Sequence, residues 1–325
     1  MKPIRLRDFV KADDFYFSIV GYKHIRGVKA FLRYVPSVSG DRISREGKRY
    51  RKLMHSNAIE FAKKENMEYY NSKLGIFLIP NSKISEVYKP EERISEIVKS
   101  DDKVKRIVDF FNTIPVDKMG VTGSRLIGLE SEDSDVDFVM YGSYWFKGRE
   151  KIKRSIERGV LKEPSEETWN FIFEKRKVNI PYDIFVSHER RKFHRAIIGS
   201  TYFDLLYVRD YDGISIPIPE DKGKRIGKKV IRAEVVDDSH TFDYPAYYPV
   251  RHGEIAAVLS FTHTYVGQGV KGEVIEAKGV VEEINGRRYL IVGTSREVMD
   301  EYIVSLTFMK KSGLMDEFER WKGEL

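Results

Sequence analysis

The chain has 325 residues, a formal net charge of +7, 41% hydrophobic residues and no cysteine. The absence of thiols excludes disulfide frameworks, thiolate zinc sites, iron–sulfur clusters and cysteine nucleophiles, leaving oxygen and imidazole as metal ligands. No apolar run approaches the ~20 residues of a membrane-spanning helix and the start MKPIRLRDFV has no apolar signal region, so a soluble, cytoplasmic protein of two or three domains is expected.

The charge is unevenly spread. Residues 1–95 carry 20 Lys and Arg against 11 Asp and Glu, residues 96–222 carry 22 against 23, and residues 223–325 carry 15 against 16. An acidic partner for the first segment is the expectation. A single glutamine, Gln268, among 33% charged residues matches the composition of heat-adapted proteins.

From Phe15 to Val35, two aromatic and β-branched runs flank a glycine-containing turn, which predicts a hairpin. A basic loop with Arg42, Arg45, Lys48, Arg49, Arg51 and Lys52 follows, then a helical pattern over 58–69 and a strand over 75–79. After Pro90, apolar residues from Ile94 to Phe111 recur at three- and four-residue spacing, predicting one or two amphipathic helices with Ser100 or Asp101 as an internal cap. Strands are expected at 116–121, 136–141 and 182–187, a basic helix at 148–159 and a further helix at 166–175. After the polar stretch 220–229 the text becomes period-two and β-branched, and Asn285-Gly286 between two such runs signals a tight hairpin. One or two helices are expected around 296–321. These elements give an α+β chain of three parts: a basic α/β domain at 1–95, a mixed sheet with helices at 96–222, and a small β-barrel-like domain at 223–325 that ends in a helix.

The chemistry concentrates in MGVTGSRLIGLESEDSDVDFVMYG, residues 119–142. Gly123-Ser124 follows a short strand and offers unhindered N–H groups and a hydroxyl to phosphate oxygens. Ten residues later Asp135 and Asp137 open an apolar strand, where residues two apart share a face. Two carboxylates so placed repel each other unless a cation sits between them, and a hard divalent ion suits them. Asp183, an acid inside the apolar run 180–186, is the expected third carboxylate on a neighbouring strand.

At these residues the chain resembles the DNA polymerase β-like nucleotidyltransferase superfamily, whose signature is Gly-Ser followed after about ten residues by Asp-hydrophobic-Asp, with a third acid on a later strand. The resemblance covers residues 105–190. The order of a basic N-terminal module, a core and a β-rich C-terminal module is also similar to that of uncharacterised archaeal proteins described as predicted nucleotidyltransferases. The resemblance implies a polymerase β-like core that moves a nucleoside monophosphate from an NTP to a hydroxyl. It assigns Mg²⁺ or Mn²⁺ to Asp135, Asp137 and Asp183, and the β/γ-phosphates to Gly123 and Ser124. Arg125 is either a pyrophosphate contact or an outward-facing, solvated residue.

RNA, tRNA included, is the expected acceptor, gripped by Arg42, Arg45, Lys48, Arg49, Arg51 and Lys52. Most of the neighbouring aromatics (Phe15, Tyr16, Phe17, Phe31, Tyr34) are expected to form a core. A protein or small-molecule acceptor, or an inactive nucleic-acid-binding protein, remains open, as does the oligomeric state. Gly267, Gly269 and Gly272 imitate a dinucleotide fingerprint but precede β-like text, and 223–229 is a basic linker rather than a phosphate loop. Asp210 and Asp212 are turn residues, His188 and His194 flank the basic patch Arg190, Arg191, Lys192 and Arg195 near the expected third acid, and His263, between Thr262 and Thr264, is expected on a strand with a satisfied hydrogen bond.

Overall fold

In the computed structural model, which describes residues 2–132, 134–293 and 300–324, the chain sorts into two units, Met1–Lys162 with His194–Ile216 and Glu163–Phe193 with Pro217–Leu325. The boundary expected near residue 95 falls inside a helix, Pro90–Ile97, of the first unit. The reason is a shared core: Tyr16, Tyr34, Tyr50 and Tyr88 from the N-terminal segment cluster with Leu126, Ile127 and Leu129, which follow Gly123-Ser124.

The first unit contains β1 (Phe9–Ala12), β2 (Phe15–Ile19), β3 (Val28–Pro36), β4 (Arg42–Ile43), β5 (Arg49–Lys52), β6 (Tyr70–Asn71), β7 (Ile76–Ile79), β8 (Ile84–Tyr88), β9 (Met119–Val121), β10 (Val136–Tyr141), β11 (Arg195–Ile198) and β12 (Thr201–Val208). Its helices are α1 (His55–Lys64), α2 (Pro90–Ile97), α3 (Asp102–Phe110) and α4 (Ser143–Glu157). β1 to β8 form an eight-stranded sheet in which β2 and β3 pair antiparallel, as their runs suggested. Asp101 separates α2 from α3 because its side chain accepts from the N–H groups of Lys103 and Val104, satisfying donors that a helix start leaves open. Residues Val116–Lys118 make a 3₁₀ turn, so the strand begins only at Met119.

The second sheet of this unit runs β11-β12-β10-β9, with β10 parallel to β12 and the outer pairs antiparallel. Phe138 and Met140 face the helices: the Phe138 ring stacks on Phe111 at 5.6 Å, and a Cβ on Gly148 of α4 would meet Met140 Sδ at 2.5 Å. Side chains alternate along a strand, so Asp137 and Tyr141 point to the opposite face. There Tyr141 donates to Glu91 at 2.9 Å and lies 3.8 Å beneath the Arg5 guanidinium.

The second unit contains α5 (Glu166–Arg176), α6 (Tyr182–Arg190), β13 (Lys224–Val235), β14 (Ala246–Arg251), β15 (Ile255–Ser260), β16 (Val274–Ile284), β17 (Arg287–Val292), β18 (Tyr302–Ser305), α7 (Leu306–Ser312) and α8 (Met315–Gly323). β13 pairs with β14 at one end and with β16 along its length, so the order β13-β14-β15-β17-β16 returns to its start, and β18 adds to β16. Register places Ala233, Ile231, Ala277, Val281, Leu290 and Val258 on one buried face of this ring. Asn285 and Gly286, with φ of 51° and 74°, close the β16–β17 hairpin in the conformation such two-residue loops need.

Three local expectations are corrected here. The basic linker 223–229 is largely the first half of β13, irregular only between Arg225 and Gly227. His263, expected on a strand, sits in the 3₁₀ turn His263–Tyr265 and stacks on Tyr244 at 5.1 Å. Residues 182–187, expected as a strand, lie in α6: Pro181 precedes the helix, Asp183 sits in its acidic first turn, and the apolar run is buried as part of a helix. The expected helical start at Arg296 lies outside the described residues. Among the described residues no helix is long and apolar enough to cross a membrane.

Candidate active site

Gly123 follows β9 with φ of +74°, a left-handed conformation that glycine adopts without strain. A Cβ at this position would stand 2.8 Å from Asp137 Oδ2, so the turn and the carboxylate touch only because the side chain is missing. Thr122 N–H donates to Asp137 O at 3.0 Å and Thr122 Oγ1 donates to Arg7 O at 2.7 Å, fastening the turn to β10 and to the N-terminal segment. The N–H groups of Gly123 and Ser124 donate to no protein acceptor among the described residues. The Ser124 side chain lies within electrostatic reach of the Tyr34 hydroxyl of β3. Open donors on a turn are what an anionic oxygen requires.

Asp135, exposed, precedes β10, and Asp137, half-buried, lies in it. Register sets Asp137 directly beside Asp204 on β12, and Asp204 beside Arg195 on β11, making a row of three charged residues across three strands. Burial pushes the Asp137 carboxyl above its usual range and the charges of Asp204 and Asp135 push it further, against Arg7 and Arg33 of the N-terminal segment, which favour its ionised form. Burial would also raise Asp204, but Arg195, His194 and the hydrogen bonds from Tyr202 and Arg195 outweigh it and hold Asp204 below the usual value.

Asp204, not Asp183, is therefore the carboxylate on the neighbouring strand. Asp183 is exposed on α6 in the second unit and belongs to no strand. The signal for Asp204 was present in TYFDLLYV, an acid alone in a strand of otherwise mostly apolar and aromatic residues. Arg7, Arg33, Arg195 and Tyr202 around the carboxylates carry no motif and were not legible as site residues.

Arg125 is not an outward-facing, solvated arginine. It is 6% exposed; its guanidinium pairs with Asp101, donates to Ser134 O at 2.8 Å and reaches Asp135 O at 3.4 Å. Those contacts hold Ser134 and Asp135 at the mouth of β10, and Arg42 Nη1 adds a bond to Ser134 Oγ at 3.3 Å. The other basic-loop residues also have partners: Arg45 pairs with Glu96 at 2.5 Å, Lys48 with Asp14 at 2.7 Å, and Arg49 donates to Gly40 O at 3.0 Å. Arg51 and Lys52 are exposed on β5. Tyr16, Phe17, Phe31, Tyr34 and Tyr50 are all buried, so these rings offer no stacking face.

The donor set fits a hard divalent ion by chemistry: three carboxylates in one row and turn, with an anion-binding glycine turn against one of them. Among the described residues no three His, Asp or Glu side chains close into a ready-made cage.

A family model described as a nucleotidyltransferase domain matches residues 101–203, which include Gly123, Ser124, Asp135, Asp137 and Asp183 and end one residue before Asp204. The chain carries a nucleotidyltransferase domain of the polymerase β-like group. It is similar to the uncharacterized protein MJ1086 of Methanocaldococcus jannaschii, with 37% identity over 92% of this chain and 98% of that protein. No solved structure matches.

Substituting Gly123 by Ala will test the turn. A left-handed φ costs a Cβ-bearing residue about 1–2 kcal/mol, and the new methyl would also collide with Asp137. The melting temperature should fall by several degrees and nucleotide binding should be lost; a variant that binds nucleotide as the wild type does would refute this role of the turn.

Proposed function

We propose that the protein transfers a nucleoside monophosphate from an NTP to a hydroxyl acceptor, with Mg²⁺ or Mn²⁺ held by Asp135 and Asp137 and with Asp204 in the place for which Asp183 was expected. The observation that carries this reading is the closeness of the Gly123 turn to Asp137, where a Cβ would stand 2.8 Å from Oδ2, which puts an anion-binding turn and a cation-binding carboxylate in one site. Divalent ions bound there would neutralise the triphosphate and lower the barrier to in-line displacement. The protein supplies orientation: the N–H groups of Gly123 and Ser124 face the β/γ-phosphates, and Asp204 lies beside Asp137 where the attacking hydroxyl needs a negative neighbour. Arg7 and Arg33, already within electrostatic reach of Asp137, offset the charge of the departing pyrophosphate.

RNA, tRNA included, is the acceptor that the charge distribution favours. Arg51 and Lys52 are exposed, and the pairs Arg45–Glu96 and Lys48–Asp14 lie in solvent, where such pairs contribute little and yield readily to a phosphate. Incubation with each labelled NTP and Mg²⁺ or Mn²⁺, with and without total RNA, tests both parts. Label in RNA supports the whole proposal; label in protein or a small product keeps the transferase and removes the RNA; no label with any NTP removes the transferase.

A salt titration gives a separate check on RNA. Changing Arg45, Arg51 and Lys52 together to Gln should weaken tRNA binding at all sequences and make the slope of log K against log salt shallower by about one per lost phosphate contact. An unchanged slope would take these residues out of the interface.

A further inference from the structure

The nucleotidyltransfer reading leaves the buried charge of Arg195 without a task. Arg195 is 6% exposed, lies outside the Gly-Ser and Asp-x-Asp signature, and sits in register with Asp204. Its Nε donates to Asp204 Oδ1 at 2.7 Å, and Tyr202 Oη, two residues before Asp204 on the same face of β12, donates to that same oxygen at 2.8 Å. Oδ2 of Asp204 receives no protein donor among the described residues. Both donors grip one oxygen and leave the other open.

We propose that Arg195 and Tyr202 are positioning residues that fix the Asp204 carboxylate through Oδ1 so that Oδ2 is presented to the divalent ion beside Asp137. The need for such a clamp follows from the row itself. Two carboxylates side by side on adjacent strands repel, and a free Asp204 would relieve the repulsion by turning away or taking a proton. A cation on its far side, reinforced by a neutral donor, keeps it charged and in place without occupying the near side. Ligand carboxylates are held in this way by hydrogen bonds behind them, and loss of such a partner costs metal affinity.

This inference rests on the reading of Asp135, Asp137 and Asp204 as ion ligands, and the test separates the two. Mn²⁺ binding to the full-length protein would be followed by the electron paramagnetic resonance signal of the free ion, with no nucleotide present. In the Arg195→Met variant the half-saturating Mn²⁺ concentration should rise about 10–100-fold, Arg195→Lys should recover most of the loss, and Tyr202→Phe should rise by about threefold. A purely electrostatic role for Arg195 predicts the opposite sign, because removing a positive charge beside a cation site tightens binding. Unchanged or tighter binding in Arg195→Met therefore overturns the clamp while leaving the ion site standing. Wild-type protein that binds no Mn²⁺, or binds it equally with Asp137→Asn, overturns the ion site and the clamp together. Should Arg195→Met fail to fold, Tyr202→Phe decides: it keeps the ion pair, and unchanged affinity there refutes the proposal.

Discussion

Asp137→Asn will melt at a higher temperature than the wild type in the absence of divalent ions and will no longer respond to them. Burial first, then the charges of Asp204 and Asp135, make the ionised form of Asp137 unfavourable in the folded protein. Its folded pKa lies above the unfolded 3.8, so the wild type carries a cost at neutral pH that fades as the solution is acidified toward that value. Asn has the same shape and no charge. The advantage of the variant should thus be greatest near neutrality, shrink on acidification, and amount to about 2–4 °C for each kcal/mol relieved. A divalent ion at one hundred times its dissociation constant would stabilise the wild type by about 2.7 kcal/mol through mass action, and the variant should show none of this. Transfer activity should drop by about a thousandfold or more, the loss of some 4 kcal/mol of transition-state stabilisation. Melting curves with and without Mg²⁺ and Mn²⁺ check the first two effects; an ion response that survives in the variant would remove Asp137 from the ion site.

The second large effect concerns acid stability of the second unit. His188 is fully buried; its Nδ1–H donates to Ile184 O at 2.8 Å while Nε2 accepts from Ser305 N–H at 3.0 Å. The ring is neutral and both nitrogens are committed, so a proton on Nε2 would break the link to β18. Burial, reinforced by Arg191 and Lys192, lowers its pKa from 6.5 to about 3. The unfolded chain takes up a proton near pH 6.5 and the folded one does not until about 3. Stability is accordingly complete above 6.5 and falls with acid by about 1.4 kcal/mol per pH unit, toward about 5 kcal/mol in all. His188→Gln should be less stable at pH 7.5 and lose this slope between pH 6 and 4. His24 in the first unit, with a pKa lowered by burial to about 4, will leave a residual acid slope there. Denaturant midpoints measured across this pH range decide the matter; parallel slopes for variant and wild type would show that His188 is not the responsible group.

Much of the site was legible because its parts are local. Gly123-Ser124, the Asp135–Asp137 pair, the β10 strand and the Asp101 cap each depend on a few neighbouring residues whose chemistry admits one conformation. The Asn285-Gly286 hairpin was legible for the same reason. Asp183 misled because a short apolar run reads alike as a buried strand and a buried helix, and only the tertiary surroundings choose. Asp204 and Arg195 were hidden because their meaning lies in register: Asp204 becomes a neighbour of Asp137, and Arg195 of Asp204, only when β10, β12 and β11 are laid side by side. The partners of Arg125 were not legible from its position after the signature, since sequence does not show that Asp101, Ser134 and Asp135 hold its guanidinium. The boundary near residue 95 failed because an aromatic core spans it.

The order in which the chain visits the two units has a practical consequence. It leaves the first unit after Lys162, returns at His194 and leaves again after Ile216. A ribosome that has released residues 1–162 has delivered Asp135 and Asp137 but neither Asp204 nor the strand that must lie beside them, so β10 waits for partners that emerge only after α5 and α6. A single protease cut at any one crossing cannot free either half from the other, and gene truncation at residue 162 discards a carboxylate of the candidate site with two of the four strands of its sheet. Separating the halves for study requires cuts at all three crossings, with Lys162 rejoined to His194 and Phe193 to Pro217, rather than a stop codon.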